Sequence, residues 1–360
     1  NFIYWNCSFL RMGTSGLTAQ AFGAQRREEC ADLLVRGVVM AAVLATLLLL
    51  LRRPVGDFAI WLMNGDDLVR RYFFARIWAV PAAISLFALN GWFIGMQNSR
   101  FPMFIAITQN VVNIAASLFF VYALGMKVEG VALGTLTAQY AGLLMACLLW
   151  QRYYRSLRKY AVSTQRLFER KAMSSFFRVN RDIFLRTLCL VAVTVFFTSR
   201  GAAYGDVVLA VNTLLMQLFT LFSYIMDGFA YAGEALTGKY IGARNHTELR
   251  RTVNRLFGWG ITLAIAFTLL YSIGGKGFLG LLTNDQAVIE ASTEYFYWVL
   301  CIPLAGFSAF LLDGICIGAT ATHYMLRAMA VASAAFFLTY YGLQEQWNNH
   351  ALWLAFILYL

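Results

Sequence analysis

Acidic side chains interrupt two apolar segments in the second half of the chain. Asp227 and Glu234 lie seven residues apart, close to two helical turns, so both carboxylates would share one helix face. Asp313 stands alone in the stretch LLDGICIG. An ionisable group at mid-bilayer costs roughly 2.5–3.5 kcal/mol and usually faces a cavity or a partner. We therefore interpret Asp227 and Asp313 as groups that bind a proton or cation, and leave Glu234 open between that role and a structural one.

Basic side chains also lie within apolar segments. Arg186 follows Asp182 by four residues, which is one helical turn, so we predict a local and structural ion pair between them. Arg11 interrupts the first apolar segment and needs either an acidic partner or a path to the membrane surface. We expect a structural role for Arg11, with cavity lining as the alternative.

The residue pattern favours neither an enzyme nor a metal site. The six cysteines are scattered without a CxxC pair, and the three histidines lie far apart in the sequence. The glycines do not form a phosphate-binding motif, and in apolar helices they favour close helix packing. A membrane-embedded enzyme would need clustered acids, and the adjacent pair Asp66–Asp67 lies in a polar connector. We expect no metal beyond a possible Na⁺ near Asp313.

The composition places these groups in a membrane protein. Apolar residues make up 60% of the 360 residues and charged residues 13%, against roughly 45–50% and 25% in soluble domains. A spanning helix needs about 20 mostly apolar residues. Segments of this kind are expected at 1–24, 33–51, 70–96, 101–124, 129–151, 180–200, 206–243, 253–273, 292–318 and 324–343, with a partial one at 350–360.

The basic residues predict the orientation of the chain. The formal charge of +11 could suggest a nucleic-acid partner, but most of the basic residues lie in short connectors between apolar segments. Alternate connectors are the basic ones, and by the positive-inside bias we expect them on the cytoplasmic side. They carry Arg26 and Arg27, Arg100, the stretch 152–179, Lys239 with Arg244, Arg250 and Arg251, and Arg327.

The two halves of the chain repeat one another. Residues 12–37 align with 231–256 without a gap, and LTAQAFGA at 17–24 falls on LTGKYIGA at 236–243. Further on, LNGWFIG at 89–95 falls on LDGICIG at 312–318, so Asn90 is equivalent to Asp313. The repeat predicts parallel halves related by an axis along the membrane normal.

The repeat also predicts the domains. The first apolar segment matches 206–243, so a helix equivalent to 180–200 is expected before Asn1, and the last helix is expected to continue past Leu360. The full protein would then be an all-α integral membrane protein with two six-helix bundles and twelve spans. We predict an N-terminal lobe at 1–151, a basic cytoplasmic linker at 152–179 and a C-terminal lobe at 180–360.

Several motifs resemble the multidrug and toxic compound extrusion family, and most closely its DNA-damage-inducible F branch. They are FLRMGTSGLTAQAFGA at 9–24, NGWFIGMQNSRFPM at 90–103, QNVVNI at 109–114, VNRDIFLRTL at 179–188, DGFAYAGEALTGKYIGA at 227–243 and LLDGICIGA at 311–319. The resemblance covers essentially the whole chain. It implies two six-helix lobes around a central cavity, and export of organic molecules against an inward flow of H⁺ or Na⁺.

The resemblance also bears on the candidate site. It adds Asn113 and Asn180 to the cavity residues and assigns the acid at Asp313 to a cation site of the C-terminal lobe. Relatives often carry an acid where this chain has Ser117, and a Glu in the helix where it has Asp182 and Arg186. The family's N-terminal acid lies on a helix that precedes Asn1.

The function that we expect is a secondary antiporter for amphiphilic or cationic organic compounds. The alternative is a flippase for lipids or lipid-linked oligosaccharides from the same superfamily. We expect a monomer without an organic cofactor, with H⁺ or Na⁺ as coupling ion, and with small organic molecules and the lipid bilayer as partners. We expect the protein to lie in the plasma membrane, which is the inner membrane in a bacterium, and to cross it many times.

Overall fold

Helices form almost all of the part of the chain that the computed structural model describes, which is residues 6–62, 67–160 and 169–360. The helices are α1 (Phe9–Gly23), α2 (Arg27–Leu50), α3 (Arg52–Leu62), α4 (Asp67–Arg76), α5 (Val80–Gly95), α6 (Arg100–Leu118), α7 (Val128–Tyr153), α8 (Arg170–Ala203), α9 (Asp206–Gly242), α10 (His246–Leu282), α11 (Gln286–Gly318) and α12 (Thr322–Tyr359). Helix α4 continues through a short 3₁₀ turn into α5, and α6 is followed by a π-helical turn.

Nine helices of this described part are long and apolar enough to cross a membrane. Many of their large apolar side chains are exposed, as expected for helices that face lipid. The chain is therefore an all-α, multi-pass membrane protein, as predicted. The spans are Arg27–Leu50, Leu68–Gly95, Arg100–Ala123, Val128–Tyr153, Arg170–Ala203, Asp206–Gly242, His246–Gly275, Gln286–Gly318 and Thr322–Tyr359.

The helix ends differ from the apolar segments in three places. Helix α8 begins at Arg170, within the stretch predicted as a linker, because helix formation continues beyond the apolar part. The polar connector after residue 51 contains another helix, α3. The segments at 324–343 and 350–360 form one long helix, α12, which breaks at Asn348 (φ 45°, ψ −120°). The acid pair at 66–67 includes Asp66, which lies outside the described residues.

The chain divides into two compact units, unit 1 (Asn1–Asn180) and unit 2 (Arg181–Leu360). The core of unit 1 contains Leu10, Ile84 and Phe176. The core of unit 2 is rich in aromatic side chains, including Phe222 and Trp353. Helix α8 begins in unit 1 and continues in unit 2, so the boundary falls inside a helix.

The same helix crossing occurs inside each unit at positions that the sequence repeat makes equivalent. At each crossing, two glycines lie so close to a neighbouring helix that a Cβ atom would overlap its backbone carbonyl. Only glycine allows backbones to approach so closely. The contacts are Gly91 on Arg11 and Gly95 on Ser15 between α5 and α1, and Gly314 on Ala230 and Gly318 on Glu234 between α11 and α9.

Helix ends repeat in the same way. Gln25, two residues after the end of α1, has φ 56°, and its equivalent after α9, Arg244, has φ 53°. Likewise Gln97 after α5 (φ 64°) is equivalent to Thr320 after α11 (φ 53°). Left-handed residues are a common way to end a helix and satisfy its last carbonyl groups. The repeat seen in the sequence is therefore a repeat of backbone conformation.

Candidate ion-coupling site

An ion pair between two spanning helices of unit 2 is the central feature of the candidate site. The guanidinium Nη2 of Arg186 on α8 lies 2.8 Å from the carboxylate Oδ1 of Asp313 on α11. The two side chains are 13% and 21% exposed. A charge in an apolar surrounding is stable only when it is paired, so each side chain explains how the other is tolerated. The pair joins α8 to α11 in the half nearer to the end of α11.

The predicted pairing of Arg186 with Asp182 is wrong, because a tertiary contact replaces the local one. Asp182 is 2% exposed and accepts bonds from the preceding residue, Arg181, whose Nε and Nη2 lie 3.2 and 2.9 Å from Oδ1. Its other oxygen accepts a 3.2 Å bond from the hydroxyl of Thr322, the first residue of α12. Asp182 thus joins α8 to α12, while Arg186 joins α8 to α11.

The two acids of α9 have different surroundings. Glu234 is 1% exposed and lies at the crossing of α9 with α11, where its backbone carbonyl contacts Gly318. Asp227, two turns away, is half-buried. Sharing one helix face therefore does not give the two carboxylates the same degree of burial.

Three other candidate residues lie in unit 1. Arg11 is 9% exposed, and its backbone carbonyl contacts Gly91. Asn180 is 5% exposed and packs on Gly13 of α1, where a Cβ atom would lie 2.5 Å from the amide oxygen. Its amide nitrogen donates a 2.8 Å bond to the carbonyl of Phe176. The lack of a side chain at Gly13 makes room for this amide.

Asn113 on α6 is half-buried and takes part in a local contact. It accepts a 3.2 Å bond from the hydroxyl of Ser117, one turn further along. Ser117 is the residue at which relatives often carry an acid. In this chain an uncharged hydrogen bond occupies that place.

Sequence reasoning missed a buried polar cluster in unit 2. The amides of Asn212 on α9 and Asn349 on α12 bond to each other in both directions, at 2.8 and 3.0 Å. The indole of Trp353 donates a 2.9 Å bond to the same Asn212 oxygen. An amide inside an apolar segment is a signal for such a cluster, but the partner lies more than a hundred residues away. Among the described residues, no group of three or more histidines, cysteines or acids could hold a metal ion.

Comparison with known proteins defines the class to which this fold and site belong. A family model described as MatE matches residues 1–119 and 183–340. DNA damage-inducible protein F of Escherichia coli K12 is 36% identical over 365 residues, covering all of this chain and 79% of that protein. The chain therefore belongs to the MatE family of multidrug and toxin extrusion transporters.

More distant relatives share parts of the sequence. The Arabidopsis thaliana protein DETOXIFICATION 42 is 23% identical over 91% of this chain and 62% of its own length. The probable multidrug resistance protein NorM of Photorhabdus laumondii is 24% identical over 66% of this chain and 52% of its own length. The chain thus spans less than two thirds of these two relatives.

Solved structures share the fold. A crystal structure of MATE in the straight conformation has a TM-score of 0.86 and 18% identity, covering 99% of this chain and 81% of that one. An outward-facing multidrug resistance MATE family transporter has a TM-score of 0.83 and 17% identity, with the same coverage. The all-helical architecture inferred from the sequence is that of these transporters.

Proposed function

We propose that this transporter exports amphiphilic and cationic organic compounds and that an inward flow of H⁺ drives the export. The Arg186–Asp313 ion pair is the observation that carries this assignment. The pair connects two spanning helices, so its formation or loss would change the attraction between α8 and α11. A group that favours one of two helix packings can couple the binding of an ion to a change of the open side.

The geometry favours H⁺ over Na⁺ at Asp313. The guanidinium of Arg186 already contacts the carboxylate at 2.8 Å and supplies one full positive charge. A sodium ion at the same oxygen would be repelled by this charge, and the repulsion is strong where water is scarce. A proton instead neutralises Asp313 and removes the attraction for Arg186, which opens the pair.

Asp182 offers Arg186 a second partner when the pair opens. An unpaired guanidinium in an apolar surrounding is unstable, so it needs another acid nearby. Asp182 is one helical turn away, a spacing at which side chains on one helix meet. It is buried and accepts bonds from Arg181 and from Thr322 at the start of α12, so Arg186 would join a carboxylate that already holds one guanidinium. Protonation of Asp313 would thus move Arg186 from α11 towards the contact between α8 and α12.

The relatives and the composition support the proposed substrate class. The named relatives include a probable multidrug resistance protein in Photorhabdus and a multidrug and toxin extrusion protein in mouse. Aromatic residues make up 16% of the chain, and aromatic rings attract organic cations over their faces. Lipophilic organic cations are therefore the substrates that we propose to test first.

Transport in proteoliposomes tests this function, with ethidium as the organic cation. A pH gradient and a Na⁺ gradient are imposed separately, and ethidium movement is followed by fluorescence. We expect the pH gradient to drive export. Asp313→Asn keeps the shape of the side chain but cannot bind a proton, so it should lower gradient-driven export by about tenfold or more.

Glu290→Gln is the matched control, because Glu290 is an exposed acid on the same helix as Asp313. It should export ethidium at the parent rate. Export driven by Na⁺ alone would overturn the assignment of H⁺. Export at the parent rate by Asp313→Asn would overturn the role of the ion pair.

A further inference from the structure

The break in α12 at Asn348 is held from two sides by polar side chains. The backbone there has φ 45° and ψ −120°, so the segment after the break, 349–359, begins as a new helix. On one side Asn349 bonds to Asn212 of α9. On the other side His350 bonds to residues near the start of α11. The first contact has no group that titrates near neutral pH, whereas the second has a histidine.

His350 has three partners on α11. Its Nδ1 atom lies 3.2 Å from the indole nitrogen of Trp298 and 3.0 Å from the hydroxyl of Tyr297. Its Nε2 atom lies 3.2 Å from a carboxylate oxygen of Glu294. The ring of Tyr295 lies over the imidazole, with centroids 4.6 Å apart.

The partners define the protonation state in which these contacts are satisfied. An indole N–H can only donate, so Nδ1 must be an acceptor for the bond from Trp298. In a neutral imidazole the proton is then on Nε2, where it is donated to Glu294. The cluster as a whole therefore needs a neutral His350.

A second proton on His350 affects its partners differently. The bond to Glu294 becomes an ion pair and persists. Tyr297 can rotate its hydroxyl and accept from the new Nδ1–H. Trp298 cannot adapt, because two N–H groups would face each other. Trp298 is 8% exposed, so its indole would lose its acceptor in a place that water hardly reaches.

We propose that His350 is a pH-sensitive latch between the start of α11 and the segment 349–359. The latch is closed at Trp298 when the imidazole is neutral and is released when it binds a proton. The protein does not enclose the two side chains, since His350 and Glu294 are 28% and 65% exposed. The titratable groups that face His350 are Glu294, Tyr295 and Tyr297, all on α11. Within the described chain, His350 forms no ion pair with a residue of α8, α9 or α10.

The latch lies at the end of unit 2 where α10 ends and α11 begins. This end is opposite to the basic connector at 243–245, and the charge pattern predicts that it faces away from the cytoplasm. Acidification of that compartment would loosen α12 at its break. The inference does not depend on the role proposed for Asp313, because His350 and the Arg186–Asp313 pair lie at different levels of unit 2.

The indole N–H resonance of Trp298 tests the latch directly. The protein is labelled with ¹⁵N-tryptophan in lipid nanodiscs, and Trp298→Phe identifies the resonance among the nine tryptophans. Spectra are recorded from pH 7.5 down to about pH 5.5, the range in which histidine titrates. We expect the Trp298 indole proton to shift upfield in one step as its hydrogen bond is lost.

His350→Gln keeps an acceptor but cannot titrate, so it should abolish the pH-dependent shift. His323→Gln removes a histidine at the other end of α12 and should leave the shift unchanged. If His350→Gln does not fold, Glu294→Gln serves instead, because it removes the acid that contacts His350 and leaves the imidazole in place. The Trp298 resonance of this variant should still shift with pH, and loss of the shift would mean that Glu294, not His350, is the group that titrates. A parent protein without a shift, or a shift that persists in His350→Gln, would overturn the latch.

Discussion

At the scale of single residues, the stability of unit 2 depends on how two opposite charges are paired. Arg186 and Asp313 are each mostly buried, so removing one leaves the other without its partner. We expect Arg186→Gln and Asp313→Asn each to lower the free energy of unfolding by about 1–3 kcal/mol, less than for a fully buried pair.

The double variant Arg186→Gln/Asp313→Asn should be more stable than the sum of the two single effects predicts, because it leaves no charge unpaired. Thermal unfolding of the four proteins in one detergent provides the measurement. Strictly additive effects would mean that the two side chains act independently, contrary to the 2.8 Å contact.

The sequence made both members of this pair visible but did not identify the pairing. A charge inside an apolar segment is costly, and this alone singles out Arg186 and Asp313. Helical spacing then favoured Asp182 as the partner, since local neighbours can be counted along the chain. The actual choice depends on which helices pack together, and a single sequence contains no direct record of that. The same holds for Asp182. Its hydrogen-bond donor Thr322 lies on another helix, so helical spacing could not identify it either.

At the scale of helices, the glycine crossings set the spacing between neighbours. Gly314→Ala would place a Cβ atom against the carbonyl of Ala230 and force α11 away from α9. We expect it to lower the free energy of unfolding by about 1–3 kcal/mol, the usual cost of overpacking. Thermal unfolding in detergent measures this, with Gly91→Ala as the equivalent change in unit 1.

Gly258→Ala is the matched control for these substitutions. Gly258 lies within α10 and has open space where the Cβ atom would be. Alanine is the better helix former, so this change should be neutral or should stabilise by up to about 1 kcal/mol. Equal losses at Gly258 and Gly314 would show that close contact between helices does not decide the effect.

Helices were easier to predict than their contacts. Apolar length located most of the spans, but it missed α3 in a polar connector and the early start of α8. Close packing was predicted for the glycines of apolar helices in general, yet Gly13 packs on Asn180 whereas Gly228 has open space where a Cβ atom would be. The length of an apolar segment indicates where a helix can lie in lipid. Whether a glycine allows two backbones to approach closely depends on where the helices cross, which the segment length does not indicate.

At the scale of the whole molecule, the sequence repeat is the most informative feature. It connects equivalent crossings and equivalent left-handed helix ends, each of which lies within its own unit. At one equivalent place the units differ in charge, because Asn90 in unit 1 corresponds to Asp313 in unit 2. Only the second can change its charge. A repeated scaffold in which an acid of one unit replaces an uncharged amide of the other is suited to a device in which one unit senses the ion.

Proton release on substrate binding tests this account most directly. In a weakly buffered detergent solution, ethidium is added to the protein and the pH change is recorded. If substrate favours the packing in which Asp313 is ionised and paired with Arg186, the parent protein should release protons as ethidium binds. Asp313→Asn should bind ethidium without this release, and Glu290→Gln should release as many protons as the parent. Equal proton release by the parent and by Asp313→Asn would contradict the account, because the exchanged proton would then belong to another group.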